Sequence, residues 1–115
     1  MHALFIVLND TDYLDDILAG LVQAGVTGAT ILESQGMAGF MMDNDKASLS
    51  MANMFKSFLT SARPFNKTIF TVLESDALLD KAVAAVRQTL GEEARPGTGM
   101  MFSVPIGAVY PLSSE

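Results

Sequence analysis

The segment Val26-Thr27-Gly28-Ala29-Thr30-Ile31-Leu32-Glu33-Ser34-Gln35-Gly36 decides how the rest of this chain is interpreted. Apolar and β-branched residues are mixed with threonines over Val26–Ser34, a composition typical of a β-strand. An amphipathic run, Asp12–Ala24, precedes it, and Gly25 between the two is suited to end a helix. Because a strand-like run, Ala3–Val7, comes before that helix, the beginning of the chain predicts a strand–helix–strand unit.

The second half of the chain repeats this order of elements. The strand-like run Thr68–Leu73 leads into an amphipathic run, Asp76–Leu90, that stops at Gly91, and a further strand is predicted at Met100–Val104. Two such units in one small chain predict an α+β fold, a ferredoxin-like βαββαβ sandwich with an antiparallel sheet. The helices would cover one face of the sheet, so the other face needs a different cover.

The stretch between the two units is less regular. Gly36–Phe40 predicts a flexible loop, and the conformation of Met37–Asp45 stays open. Ala47–Leu59 carries a stripe of large apolar residues at helical spacing, which predicts an extra amphipathic helix: Met51, Met54, Phe55, Phe58 and Leu59. We expect this helix, from Lys46 to about Leu59, to fold back on its own assembly; the alternative is that it binds a partner as a helix in a groove.

Composition limits the class of protein. A chain of 115 residues predicts a single domain, 1–115. Half of the residues are hydrophobic and 17% are charged, which predicts a homo-oligomer because a small body has much surface for its volume. A net charge of −6 and scattered basic residues argue against nucleic-acid binding. We expect no membrane insertion and no signal peptide, and therefore a soluble cytoplasmic protein.

Few residues offer chemistry for a reaction. There is no cysteine, and His2 is the one histidine, so no nucleophile–base set can be assembled and we expect a protein that is not an enzyme. The acidic residues Asp10, Asp12, Asp15 and Asp16 could attract a hard cation, although capping of the following helix explains them more simply. Gly97-Thr98-Gly99 could form an anion-binding nest of backbone N–H groups or an ordinary tight loop.

Several motifs together resemble the nitrogen regulatory PII signal-transduction proteins. The first half carries Leu14-Asp15-Asp16-Ile17-Leu18, then Gly25-Val26-Thr27-Gly28-Ala29-Thr30, then Glu33-Ser34-Gln35-Gly36, which resemble the family's first helix, second strand and the glycine at the root of its long T-loop. Arg95-Pro96-Gly97-Thr98-Gly99-Met100-Met101-Phe102 resembles the family's B-loop and the strand after it. The similarity covers most of the chain outside Met37–Asn66.

The resemblance implies a cytoplasmic homotrimer of ferredoxin-like subunits that takes part in signal transduction. It implies ATP or ADP in the clefts between subunits, and a regulated partner protein that is controlled through the Met37–Asn66 segment. Five residues match nucleotide-contacting positions of the family: Thr30, Gly36, Gly97, Thr98 and Gly99. Modules of the same fold class offer an alternative function, either a trimeric CutA-type metal-binding protein or an ACT-like sensor of small molecules.

The chain also departs from the PII pattern at its charged positions. Thr98 stands where the family has an acidic residue, and Met100 replaces a phosphate-binding lysine. Ala108–Leu112 falls where the family has basic residues, and neither tyrosine, Tyr13 or Tyr110, matches the one that some members modify. A cleft without these cations should bind a polyphosphate weakly, so the effector stays open. Ala108–Tyr110 is predicted to form a last, short edge strand.

Overall fold

The computed structural model describes residues 1–43, 65–92 and 94–113. The strands of this part of the chain are β1 (His2–Leu8), β2 (Thr30–Gln35), β3 (Phe65–Leu73) and β4 (Gly99–Pro105). Its helices are α1 (Leu14–Ala24), which follows a 3-10 turn at Thr11–Tyr13, then α2 (Met37–Asp43) and α3 (Asp76–Leu90). These elements make a mixed α+β fold, as the sequence predicts.

The four strands form one antiparallel sheet in the order β2-β3-β1-β4. Strand β1 is central and pairs with β3 on one side and with β4 on the other. Strand β2 lies at one edge and pairs with β3, from Thr30 opposite Phe70 to Gln35 opposite Phe65. The first and second strands of the chain are therefore parallel to each other but separated by the third.

Helices α1 and α3 pack side by side on one face of the sheet. Alternate residues of a strand point to opposite faces, so Leu4, Ile6 and Leu8 of β1 all point to the helices. They form a core with residues of β3 and of both helices: Ile17, Leu21, Val26, Ile69, Leu73, Ala82 and Val86. Val22 of α1 lies outside this core and is 69% exposed.

Local signals at the ends of the helices act as the sequence predicts. The backbone N–H of Leu78 donates to the hydroxyl of Ser75 at 3.1 Å, which caps the start of α3. Helix α1 ends at Gly25, whose φ of 105° lies in the left-handed region that suits glycine. The start of α1 differs: Tyr13, which precedes it, makes no capping side-chain hydrogen bond, and the carboxylate of Asp10 instead caps the 3-10 turn by accepting from the N–H of Asp12 at 3.2 Å.

Four segments depart from the prediction. Strand β3 begins at Phe65, three residues earlier than expected. Strand β2 begins at Thr30, four residues later than expected, because Val26 leaves the helix directly into the core instead of joining the sheet. The predicted flexible loop at Gly36–Phe40 contains the start of helix α2. Ala108–Tyr110 forms no strand and has no strand partner among the described residues. The helix predicted from Lys46 to about Leu59 lies outside the described residues.

The other face of the sheet has no helix over it within the described chain. Phe70, Phe5 and Phe102 lie in one row across β3, β1 and β4, with ring centroids 5.7 Å and 5.1 Å apart. Other apolar side chains surround this row on the same face: Ala3, Val7, Leu32, Val72, Met100 and Val104. We call this surface the open face. No helix of the described residues is long and apolar enough to cross a membrane.

Candidate functional site

The loop between α3 and β4 contains three of the residues that the sequence singles out, Gly97, Thr98 and Gly99. Two of them have positive φ, 87° at Gly97 and 155° at Gly99, a conformation that residues with a Cβ rarely adopt. A Cβ at Gly99 would also collide with the carbonyl oxygen of Val7. The glycines therefore let the loop lie directly on the end of strand β1.

Hydrogen bonds hold this loop closed and tie it to the chain after β1. The N–H and the hydroxyl of Thr98 both donate to the carbonyl of Arg95, at 3.1 Å and 2.6 Å. The carbonyl of Thr98 accepts from the N–H groups of Asn9 and Asp10, at 2.8 Å and 3.2 Å. Because the Thr98 N–H is already used inside the loop, the geometry favours a tight loop over a nest of N–H groups aimed at an anion.

Two asparagines connect the loop to the opposite edge of the sheet. The side-chain N–H of Asn9 donates to the carbonyl of Gly97 at 3.0 Å, and that of Asn66 donates to Oδ1 of Asn9 at 3.1 Å. The hydroxyl of Ser34 donates to Oδ1 of Asn66. Each amide accepts on one side and donates on the other, so the chain of bonds has one direction. We call Ser34, Asn66 and Asn9 the amide relay.

The amide relay ends next to Gly36, the residue that follows strand β2. A Cβ at Gly36 would lie 3.9 Å from the side-chain nitrogen of Asn66. Asn66 is 5% exposed, and its buried amide is satisfied by the relay partners on both sides. The structure thus brings Gly36 and the 97–99 loop to the same end of the sheet, where Asn66 lies beside Gly36 and is linked to the loop through Asn9.

Thr30 lies elsewhere. It begins β2 and is paired with Phe70, in the row that continues through Phe5 and Phe102 across the sheet. Thr30 and Gly36 are at opposite ends of one strand, so a single subunit does not gather all five predicted residues into one site. A ligand that contacted both Thr30 and Gly36 would need a second subunit to supply one of these two residues.

Few basic side chains of the described residues lie around the loop. Met100 is 61% exposed and lies on the open face, where it offers no charge. Lys67 near the start of β3 forms an ion pair with Glu33 of β2. Arg95 borders the loop and forms no ion pair with any acidic residue that the structure describes. Among the described residues, the charges at this end of the sheet suit a ligand with little negative charge better than a polyphosphate.

The one histidine is placed far from this loop. His2 Nε2 lies 2.5 Å from Oδ1 of Asp76, at the first residue of helix α3. The hydrogen bond to His2, and then its charge, lower the pKa of the exposed Asp76 carboxyl below its ordinary value. No group of three or more histidine, aspartate or glutamate side chains that could hold a metal ion occurs among the described residues.

Sequence reasoning missed the amide relay. Asn9 ends a strand-like run and Asn66 precedes one, and isolated asparagines at such positions ordinarily indicate turns. Their pairing depends on the register of β1 with β3, which places Leu8 opposite Lys67 and so brings the flanking residues together. Comparison of the whole chain with models of protein families and with curated proteins finds no match.

Proposed function

We propose that this chain is a subunit of a divergent PII-like regulatory homotrimer, a binding protein rather than an enzyme. In this proposal a small effector, for which an adenine nucleotide is the first candidate, binds in clefts between subunits. Residues at both ends of β2 contact the effector, with Gly36 and the 97–99 loop from one subunit and Thr30 from a neighbour. The protein is cytoplasmic and controls a partner protein through the Met37–Asn66 segment.

The observation that carries the proposal is the open face. It presents a row of three phenylalanines flanked by aliphatic side chains, in a chain whose other sheet face is already covered by α1 and α3. Contiguous apolar surface of this kind is uncommon on proteins that remain monomers. Burial of each large side chain would contribute about 1.5–3 kcal/mol, so association through this face would be strongly favourable.

The strand order supports the same proposal. A sheet ordered β2-β3-β1-β4 with both long helices on one face is the arrangement expected of a ferredoxin-like βαββαβ subunit. Within the described residues, that arrangement leaves the second face without a covering helix, and this face could meet other copies. Fold alone does not select a function, so the proposal depends on the open face for assembly and on the loop and Gly36 for the ligand.

The position of the relay supports regulation of a partner segment. Strand β2 ends at Gln35, the Met37–Asn66 segment begins with helix α2, and its last residue, Asn66, is a member of the amide relay. A ligand that moved the 97–99 loop would disturb the Asn9–Asn66 bond, and through it both ends of this segment. The coupling therefore needs no long path through the protein.

A thermal-shift panel tests the ligand part of the proposal. The wild-type protein is heated with ATP, ADP, AMP, cyclic nucleotides, 2-oxoglutarate or divalent metal ions, since a ligand of the folded state raises its melting temperature. A shift with an adenine nucleotide that is lost in Gly36→Val, but kept in the exposed control Gly107→Val, supports the proposed site. A shift with metal ions alone would favour a metal-binding module, and no shift with any nucleotide would contradict an adenine-nucleotide effector.

A further inference from the structure

A cavity of ≈ 290 Å³ lies between helix α3 and the β1–β4 edge of the sheet, beneath the segment 94–99. Its floor and walls are aliphatic side chains and a methionine: Ile6, Leu8, Ile17, Val86, Leu90 and Met101. The volume is at the lower end of the roughly 300–1,000 Å³ of small-molecule sites, and about twice that of an apolar cavity that holds benzene. The cavity is therefore large enough for one small apolar molecule.

The mouth of the cavity carries a positive charge. Arg95 lines it and is exposed to solvent, while the carbonyl of the same residue is fixed by Thr98. No aspartate or glutamate is among the described residues that line the cavity. A cation beside an apolar space suits a ligand with an anionic head and a hydrocarbon body, because a guanidinium binds a carboxylate through two parallel N–H bonds.

We propose that this cavity binds an aliphatic monocarboxylate of medium chain length, with its hydrocarbon chain against the half-buried side chains of Leu90 and Met101 and its carboxylate on Arg95. A nucleotide fits this space poorly, since the polar edge of a base would be left without partners among aliphatic side chains. The site lies within one subunit, on the helix side of the sheet. It shares the 97–99 loop with the proposed effector cleft but does not depend on assembly through the open face.

Calorimetric titration of the full-length wild-type protein with octanoate tests the proposal, and 1-octanol serves as the uncharged probe. Leu90→Phe adds bulk to the cavity wall at a half-buried position, and Val22→Phe adds the same kind of bulk at an exposed position of α1. Arg95→Gln removes the charge at the mouth, and Arg87→Gln removes an exposed charge of α3 that does not line the cavity. Circular dichroism checks that each variant folds.

We expect saturable binding of one octanoate per chain, with weaker binding of 1-octanol. Leu90→Phe and Arg95→Gln should each raise the dissociation constant for octanoate roughly tenfold, a change of about 1.4 kcal/mol, and the two control variants should leave it unchanged. Absence of saturable octanoate binding at millimolar concentration would overturn the proposal. Binding that Leu90→Phe leaves unchanged would place the ligand elsewhere, and binding that Arg95→Gln leaves unchanged would overturn the assignment of the carboxylate. Saturable octanoate binding by a protein that is not a trimer would support this proposal and contradict the proposed trimer.

Discussion

Replacing Asn66 by alanine removes the central member of the amide relay. The substitution deletes the donor to Oδ1 of Asn9 at 3.1 Å and the acceptor for the Ser34 hydroxyl. Asn66 is 5% exposed, so water replaces these bonds poorly. A buried hydrogen-bonding group that loses its partner costs roughly 1–3 kcal/mol, and we expect Asn66→Ala to lower the free energy of unfolding by about 2 kcal/mol.

Thermal unfolding followed by circular dichroism measures this loss. For a chain of this length, 1 kcal/mol corresponds to about 4 °C, so the melting temperature should fall by roughly 8 °C at equal protein concentration. Gln88→Ala provides the control, because it removes an exposed amide from α3. An Asn66→Ala protein that melts no lower than Gln88→Ala would refute the relay as a structural connection.

A double-mutant cycle sharpens the same test. If Asn9 and Asn66 act through their mutual bond, Asn9→Ala and Asn66→Ala should be non-additive in the free energy of unfolding, with a coupling of about 0.5–3 kcal/mol. Additive losses would mean that each asparagine stabilises the fold by itself, and that movement of the 97–99 loop is not transmitted to β3 through this pair.

Three further predictions follow from other contacts. Gly99→Ala should lower stability by about 1–3 kcal/mol in chemical denaturation, because its φ of 155° and the Val7 carbonyl exclude a Cβ, whereas Gly107→Ala, with open space around it, should have little effect. His2→Ala should raise the pKa of Asp76 towards its ordinary value in an NMR titration of the carboxyl carbon, and an unchanged pKa would contradict the contact. Any stability that this pair contributes is present above the ordinary carboxyl pKa and is lost as the pH falls through the lowered pKa. Met100→Lys should strengthen ATP binding about tenfold in calorimetry relative to Gln88→Lys, provided that sedimentation shows the variant to be a trimer, because Met100 lies on the open face. Equal binding by the two trimeric variants would place the phosphates away from β4.

The parts of the fold that local signals determine could be predicted from the sequence. Helix α3 spans Asp76–Leu90 as expected, since Ser75 caps its start and Gly91 follows its end. The predicted strands coincide with the observed ones where apolar residues lie on the helix side of the sheet. These features depend on neighbours within a few residues, which a sequence displays directly.

The differences arise where partners distant in sequence decide the outcome. Val26 looks like a strand residue but is buried in the helix-side core, and the pairing of β2 with β3 starts only at Thr30. Helix α2 begins between two glycines, Gly36 and Gly39, whose low helix propensity favours a loop in any local reading. Ala108–Tyr110 follows Pro105 beyond the end of β4 and pairs with no described strand, although β4 is an edge strand that pairs only with β1 among the described residues.

Only part of the candidate site could be predicted, because some of its contacts join residues that are distant in sequence. The glycines of the 97–99 loop stand out in the sequence because positive φ and close approach need glycine. Asn9 and Asn66 do not stand out, because their contact is created by the register between β1 and β3. The location of Thr30 at the far end of β2 likewise becomes visible only when the strand direction is known.

Sedimentation equilibrium at micromolar concentration tests the central claim, that the open face is buried between copies of this chain. We expect a mass three times the chain mass of 12.3 kDa. Phe102→Asp, which places a charge in the phenylalanine row, should give a folded species of lower mass, whereas Val22→Asp on the exposed side of α1 should keep the trimer mass. A wild-type protein that sediments as a monomer, or a Phe102→Asp protein that remains a trimer, would contradict the account.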